Sequence, residues 1–296
     1  MTLVFGGGSF VAQNLNFKTK ISRQECDLTK YDEIILVLRQ FKPKKVINCA
    51  AAHGSAKIMS SNHVYFLHNN LAIDSNLLKA CHELNIENVV LMSSVSAFPS
   101  VANRDLAETD LYNGGVNNFN FGYNTSKRIS NELCKTYELD YGRNYKTLFL
   151  GNLYGKFGKF GLDSNVLNSV IYQIGQAKLN DADLCLYGTG EDERAFTYVE
   201  DLNTVIDIFI DDKDIKSAIF SSNEVYTIKE IAIFIAKIMD FQGEIIFRGE
   251  ETFGQKRKVA SSEYLQSKVP GLKFTSLDVG LTKVIDWYVN AFLKTI

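Results

Sequence analysis

Residues 3–6 form a short apolar run that leads straight into Gly6-Gly7-Gly8-Ser9-Phe10-Val11-Ala12 and then into a helical pattern. A glycine cluster at the junction of a first strand and a first helix restricts the folds open to the chain. A nucleotide-binding turn needs it: glycines allow a tight turn, backbone approach to a pyrophosphate and close helix–strand packing. The helix N-terminus that follows favours the anion. A GxxGxxG turn would carry glycines at 6, 9 and 12, and here Ser9 and Ala12 stand at two of those positions. Both are small enough to keep the approach; an ordinary glycine turn is the alternative. Gly6, Gly8, Ser9, Phe10 and Val11 are the candidate cofactor contacts of this segment.

The rhythm beyond this turn predicts an α/β fold. Apolar, β-branched runs at 3–6, 45–49, 88–93 and 146–151 alternate with helical patterns over 29–41, 63–84 and 121–141. Strands apolar on both faces and separated by helices predict a parallel, doubly wound sheet. After residue 152 come a Gly/Lys loop at 155–161, a helix over 165–177, a short strand over 183–187 and a helix over 199–211 that returns to the sheet. Residues 216–296 mix short strands with helices at 227–239 and 276–293. With Pro43, Pro99 and Pro270 the only prolines, no linker separates the halves. The expected division is a dinucleotide-binding unit, 1–152 plus about 196–221, and a cap, about 153–195 plus 222–296.

Composition excludes several function classes. The 32 basic and 34 acidic residues balance to −2, and the densest basic patch is Lys256-Arg257-Lys258, so a nucleic-acid partner is not expected. No apolar run approaches the ~20 residues of a membrane helix, and the first residues do not read as a signal peptide. Cys26, Cys49, Cys81, Cys134 and Cys185 are odd in number and scattered, which suits reduced thiols in a cytoplasmic protein and no metal centre.

Near the expected end of the second strand, Asp27 would either meet an adenine or, with Thr29, cap the helix over 29–41. No acidic residue stands cleanly there to hold a free ribose 2′-hydroxyl. Arg23, with Lys18 and Lys20 nearby, suits a 2′-phosphate, which favours NADP over NAD. Tyr123-Asn124-Thr125-Ser126-Lys127 lies in a helical segment, so Tyr123 and Lys127 share a face. A cation beside a phenol favours phenolate. The preceding strand ends in Ser93-Ser94-Val95-Ser96, which delivers a hydroxyl to the mouth of the sheet.

Phosphate turn, Ser94 and the Tyr123/Lys127 pair occur in the order found in the extended short-chain dehydrogenase/reductases, and the whole chain resembles their GDP-L-fucose synthase family. The resemblance runs through Asn48-Cys49-Ala50-Ala51-Ala52-His53, read as the end of the fourth strand, and through 70–76, Asn152-Leu153-Tyr154-Gly155, 194–201 and Lys256-Arg257-Lys258. It implies a Rossmann-type sheet with a smaller α/β substrate-binding cap. It also implies Tyr123 as proton donor to a sugar C4 oxygen, Lys127 lowering its pKa and holding the nicotinamide ribose, and Ser94 hydrogen-bonding the same oxygen. Ala51 and Asn70 would line the cofactor cleft. Ser96, Asn152, Asn165, Tyr187, Arg194 and Lys258 would line the substrate site. A homodimer through the helices at 63–84 and 121–141 is implied as well.

The departures are informative. The family inverts C3 and C5 with a Cys and a His; Ser96 and Asn165 stand in those places, and a diphosphate-binding Arg appears as Gln173. Lys156 and Lys159 would compensate for that arginine, or are solvated loop charge. The histidines are His53, His63, His68 and His82, none in the cap half. His53 either reaches the site or is a polar loop residue. Ser and Asn cannot exchange protons with a carbon acid near neutrality as thiolate and imidazole can. The expectation is NADP-dependent reduction of the C4 keto group of a nucleotide-linked, GDP-linked 4-keto-6-deoxy sugar or 4-keto heptose, without epimerisation, in polysaccharide assembly. The alternatives are a 4-epimerase or C4 dehydrogenase holding NAD tightly, and a non-catalytic dinucleotide-binding protein. Residues 113–120 read as a flexible loop.

Overall fold

The computed structural model describes residues 1–100, 104–249 and 256–293. The first half runs β1 (Thr2–Phe5), α1 (Phe10–Asn14), β2 (Lys20–Ile21), α2 (Tyr31–Phe41), β3 (Lys45–Asn48), α3 (Ala56–Ser61), α4 (His63–Glu83), β4 (Asn88–Ser94), α5 (Phe121–Tyr141) and β5 (Asn144–Leu150). The second runs β6 (Asn152–Tyr154), α6 (Val166–Leu179), β7 (Leu184–Tyr187), β8 (Glu193–Tyr198), α7 (Leu202–Asp211), β9 (Ser217–Phe220), β10 (Val225–Thr227), α8 (Ile228–Ile238), β11 (Ile245–Arg248), β12 (Arg257–Lys258), α9 (Glu263–Lys268) and α10 (Leu277–Tyr288).

Among the described residues the main sheet has the order β2-β1-β3-β4-β5-β9, with every pair parallel. The fold class is therefore the expected Rossmann-like one. Strand order reverses between β1 and β3, and ligands of such sheets bind at the carboxyl ends beside that reversal. The glycine turn after β1 lies there. Side chains on the two sheet faces form two cores. On one, α7 buries Leu202, Val205, Ile206, Phe209 and Ile210, the i, i+3, i+4, i+7 stripe of an amphipathic helix. Each such side chain contributes about 1.5–3 kcal/mol of burial. On the other, α2, α4 and α5 cover Leu3, Phe5, Val89 and Leu91.

Strand β5 is buried along its whole length, although it carries Asn144 and Lys146. Both polar ends have work: Lys146 Nζ donates to the Phe209 carbonyl at 2.7 Å and Asn144 Nδ2 to the Ile210 carbonyl at 3.1 Å. They satisfy the orphan carbonyls at the C-terminus of α7. Burial lowers the Lys146 ammonium to about 8.

The second half builds a smaller layer. β8 pairs with β10 on one edge and with β6 and β12 on the other, while β7 pairs with β11. Helices α6, α8 and α10 pack on it through Leu167, Ile171, Ile231, Ile235, Leu281 and Val284. A Thr227/Glu230 capping box starts α8. We propose the division into dinucleotide-binding unit and cap expected from the sequence, with one exchange: Leu265, Val269 and Leu272 pack in the first core. Residues 250–255 and 294–296 of the expected cap lie outside the described residues. No described helix is long and apolar enough to cross a membrane.

Helices α4 and α5 approach closely at Gly122, where an added Cβ would fall 2.0 Å from the His63 carbonyl oxygen. Backbone cannot yield as a flexible side chain can. Gly122→Ala is expected to cost about 1–3 kcal/mol by overpacking, read as a lower denaturant midpoint at unchanged slope. An unchanged midpoint would show that the two helices separate freely at that point.

Candidate active site

The carboxyl ends of β1, β3 and β4 and the first turns of α5 converge on one cleft. On its cofactor side Gly6 has φ +77°, and a Cβ there would lie 2.5 Å from the Ala50 nitrogen, so only glycine fits. Gly8 is exposed with open space beside it. Ser9 Oγ accepts from the Ala12 N–H at 3.3 Å and caps α1. Ala12 is fully buried. The two departures from a GxxGxxG turn therefore have local reasons: one residue caps the helix and the other packs under it. Half-buried Phe10 and Val11 rest on the first core. This glycine-only cradle, with an open backbone at Gly8, fits a dinucleotide pyrophosphate.

The adenosine end differs from expectation. β2 stops at Ile21, so the residue just past its end is in the Ser22-Arg23 turn and not Asp27. Asp27 Oδ1 accepts from Thr29 N and Oγ1 at 3.0 and 2.8 Å, and its other oxygen lies 3.6 Å from Arg23. These hydrogen bonds, with Arg23 adding to them, hold its carboxyl below the ordinary range. Neither Asp27 nor Thr29 caps α2, which begins at Tyr31 with Lys30 as its N-cap. Arg23 is 76% exposed, with its guanidinium at the solvent-facing side of this ion pair.

Ala51, Ala52 and His53 form the loop after β3, which is the third strand of this chain rather than the fourth. Asn70 is 1% exposed and holds this loop: Oδ1 accepts from Ala52 N at 2.8 Å, and Nδ2 donates to the Ala52 and Phe66 carbonyls at 3.1 and 2.8 Å. Its amide is thus occupied in presenting Ala51 and His53. The His53 ring meets the Tyr123 ring edge-on at 5.3 Å, so His53 is part of the site and not a remote loop residue. Surrounding protein, then Lys127 and Lys159, hold its imidazole below the ordinary range. It is neutral at pH 7.

Tyr123 and Lys127 sit one turn apart on α5, beside the end of β4. Lys127 is 2% exposed, and its ammonium donates to the Met92 carbonyl at 3.3 Å and lies 6.0 Å from the Tyr123 ring centre. Ser94, at the end of β4, favours the ionised form of the Tyr123 hydroxyl. The expected acidification of the phenol is not found. Burial and the Asp74 charge push Tyr123 up to about 12, against the lowering by Ser94. The phenol is therefore protonated at neutral pH, the form a proton donor needs. Asp74 escaped sequence reading. It is 2% exposed on α4, bound by Asn48 Nδ2 at 2.8 Å and Ser130 Oγ at 2.5 Å. Its signal was a carboxylate in the buried stripe Ile73, Leu77 and Leu78.

On the substrate side, β12 brings Lys258 into register beside Arg194 of β8. Arg194 also reaches Asp192 at 3.4 Å. Burial first, then Arg194, lowers Lys258 to about 8. Two adjoining cations in a partly desolvated place fit an anion. Asn152 Nδ2 donates to the Ala195 carbonyl at 3.0 Å, and Asn165 Oδ1 caps α6 by accepting from Asn168 N at 2.9 Å. Tyr187, 71% exposed at the end of β7, stacks over Gly249. Gln173 is bonded to Ser169, and Lys156 pairs with Glu200 at 3.4 Å, while the Lys159 charge acts on His53. The 113–120 loop is not free: Arg128 and Asn124 donate to its Gly114 and Asn117 carbonyls, both at 2.9 Å.

Residues 9–226 match the family model described as the NAD dependent epimerase/dehydratase family. The GDP-L-fucose synthase of Dictyostelium discoideum is 28% identical, over 98% of this chain and 95% of that protein. A GDP-L-fucose synthetase structure from Naegleria fowleri superposes with a TM-score of 0.90 at 20% identity, over 99% of this chain and 94% of that one. The GDP-mannoheptose C4 reductase of Campylobacter jejuni, solved with NADP bound, gives 0.85 at 24% identity, over 97% and 98%. These two likenesses show the fold. The match of the family model over most of the chain shows more: the protein belongs to the NAD dependent epimerase/dehydratase family.

Proposed function

We propose that this chain is an NADP-dependent reductase of the C4 keto group of a nucleotide-linked sugar, a GDP-linked 4-keto-6-deoxy hexose or 4-keto heptose, and that it leaves C3 and C5 untouched. The observation that carries this reading is Tyr123 one turn from a buried Lys127 on α5, with the Lys127 ammonium on the Met92 carbonyl of β4 and 6.0 Å from the Tyr123 ring. The nicotinamide cofactor supplies the hydride to C4. Tyr123 gives its proton to the C4 oxygen, Ser94 hydrogen-bonds that oxygen, and the Lys127 ammonium faces the phenolate that remains. Gly6, Gly8 and the backbone of 9–11 would hold the pyrophosphate, and Arg23 the 2′-phosphate.

The absence of epimerisation rests on chemistry. The Ser96 hydroxyl is bonded to Ser94 at 2.8 Å and the Asn165 amide caps a helix. Neither group ionises near neutrality. The names of the relatives support a GDP-linked substrate, and the Campylobacter reductase supports C4 reduction and NADP. A homodimer through α4 and α5 belongs to the same reading, since Val64, Tyr65, Phe121 and Leu139 on those helices are exposed. So does a cytoplasmic setting, with Cys26, Cys49, Cys81 and Cys134 buried as free thiols.

The reading is tested by incubating the protein with NADPH and GDP-4-keto-6-deoxymannose in D₂O and taking the product's NMR spectrum. NADPH oxidation with no deuterium at C3 or C5 is expected. Deuterium at either carbon would refute the non-epimerising reading and make His53 the first base to mutate. Protein that purifies with NAD bound and oxidises no NADPH would point instead to a 4-epimerase.

The cation pair makes a second prediction. Lys258 is charged below about pH 8 and neutral above it, so a diphosphate binds the low-pH form. KM for the nucleotide sugar is expected to rise about tenfold per pH unit well above pH 8, the limit for one titrating group. Lys258→Arg, which stays charged, should flatten that rise. A KM flat from pH 7 to 10 in the unmodified protein would remove Lys258 from the diphosphate site.

A further inference from the structure

We infer that Ser96 is a positioning residue that aims the proton of Ser94. The inference rests on the proposed pairing of Ser94 with Tyr123 and gives Ser96 a task other than substrate contact.

A serine hydroxyl has one proton and two lone pairs. Ser94 Oγ accepts from the Ser96 N–H at 3.2 Å and from the Ser96 hydroxyl at 2.8 Å. Both lone pairs are then occupied. The remaining direction holds Ser94's own proton, and in the proposed pairing the Tyr123 hydroxyl stands there. Ser94 is thereby a donor towards Tyr123, and towards the C4 oxygen when that oxygen enters. Tyr123 keeps its own proton uncommitted. Remove the Ser96 hydroxyl and one lone pair opens. Ser94 can then turn and accept the Tyr123 proton, the proton the reduction requires at C4.

The geometry is held from three sides. Residues Val95–Ala97 form one 3-10 turn that starts at Ser94 and folds the Ser96 backbone over it. Val95 and Ala97 are buried in a small core with Phe98 and Phe149. Arg128, next to Lys127 on α5, donates from Nε to the Ala97 carbonyl at 2.8 Å. The turn that carries Ser96 is thus tied to the helix that carries Tyr123. Through the reaction Ser96 gains and loses no proton: hydride adds to C4, the Tyr123 O–H bond breaks, its proton goes to the C4 oxygen, and Ser94 and Ser96 keep their hydrogens.

The first test needs no substrate. In protein labelled at the tyrosine ring Cζ, the Tyr123 resonance is identified by its loss in Tyr123→Phe. At neutral pH, Ser96→Ala is expected to shift it in the direction that Ser94→Ala does, and Ser96→Thr, which keeps the hydroxyl, to restore it. A resonance unmoved by Ser96→Ala but moved by Ser94→Ala overturns the inference alone. A resonance unmoved by both overturns the Ser94–Tyr123 pairing with it. The second test is kinetic, with NADPH and GDP-4-keto-6-deoxymannose. Ser96→Ala should lower kcat about tenfold, the order of one misdirected hydrogen bond, with KM within about twofold. The Ser94→Ala/Ser96→Ala double variant should be no slower than Ser94→Ala, because Ser96 acts only through Ser94. A double variant well below that single variant would make Ser96 a direct substrate contact and overturn the inference. Failure of the unmodified protein to turn this sugar over counts against the proposed substrate, and the resonance then decides the role of Ser96.

Discussion

The ammonium of Lys127 is buried, and the site is built around the polar groups that take the place of its water. Removing a charge from water is costly unless polar groups replace the water. The Met92 carbonyl on β4 supplies one replacement, and it is aimed by a strand that pairs with β3 and β5 along its length. Ser93 on the same strand donates to the Lys127 carbonyl at 2.9 Å, so α5 is pinned to β4 at the residue that carries the charge. The tight approach of Gly122 to α4 and the Asp74–Ser130 bond fix the helix from its other side. Sheet, α4 and α5 therefore share one register, and Tyr123, a single turn from Lys127, inherits its place from it.

That register sets the electrostatics of Tyr123. Burial first, and then the Asp74 charge, raises the phenol, and Ser94 works against them. The balance keeps the proton on Tyr123 until a charge develops beside it. A lysine that acidified the phenol outright would leave phenolate, which cannot donate. The arrangement suits the reductive direction, where the protonated phenol is a reactant and the Lys127 ammonium stabilises what is left after transfer. Ser94 contributes a hydrogen bond with a defined sense, and the sense comes from Ser96.

Features of short period were legible in the sequence, and features of long range were not. The Tyr123/Lys127 spacing and the apolar runs of β1, β3, β4 and β5 are local regularities, and their elements form within a few residues of expectation. β2 spans two residues, too few to show an alternation, so its end was misplaced at Asp27. Lys146 lies inside a buried strand and reads as a strand edge until α7 supplies the carbonyl it caps. The residue type at 113–120 suggested freedom, but Arg128 and Asn124 tie that loop down from the helix that follows it. His53 reaches Tyr123 only because Asn70, on another element, holds its loop. In the last three cases the missing information was a partner on another element.

The cap and the cofactor half meet in one loop, and this bears on how the two halves of the cleft keep their alignment. Asn14 of α1, just past the phosphate turn, donates to the Lys156 carbonyl at 2.9 Å. Gly155 sits where a Cβ would fall 2.3 Å from Val199, so the loop starts flush against the main core. Two residues on, Phe157 takes φ +62°, a conformation that costs a non-glycine residue of order 1 kcal/mol or more. Its ring and that of Phe160 lie 5.7 and 5.9 Å from Trp287 of α10, and Phe160 lies 4.6 Å from Tyr288. Aromatic packing of this kind is worth about 0.5–1.5 kcal/mol per pair beyond burial, enough to hold the strained turn. Lys159, between those two rings in sequence, is near enough for its charge to help hold the His53 imidazole below the ordinary range. A displacement of the cap would therefore move a lysine at the catalytic end and a carbonyl at the phosphate end together, since both belong to the same five residues.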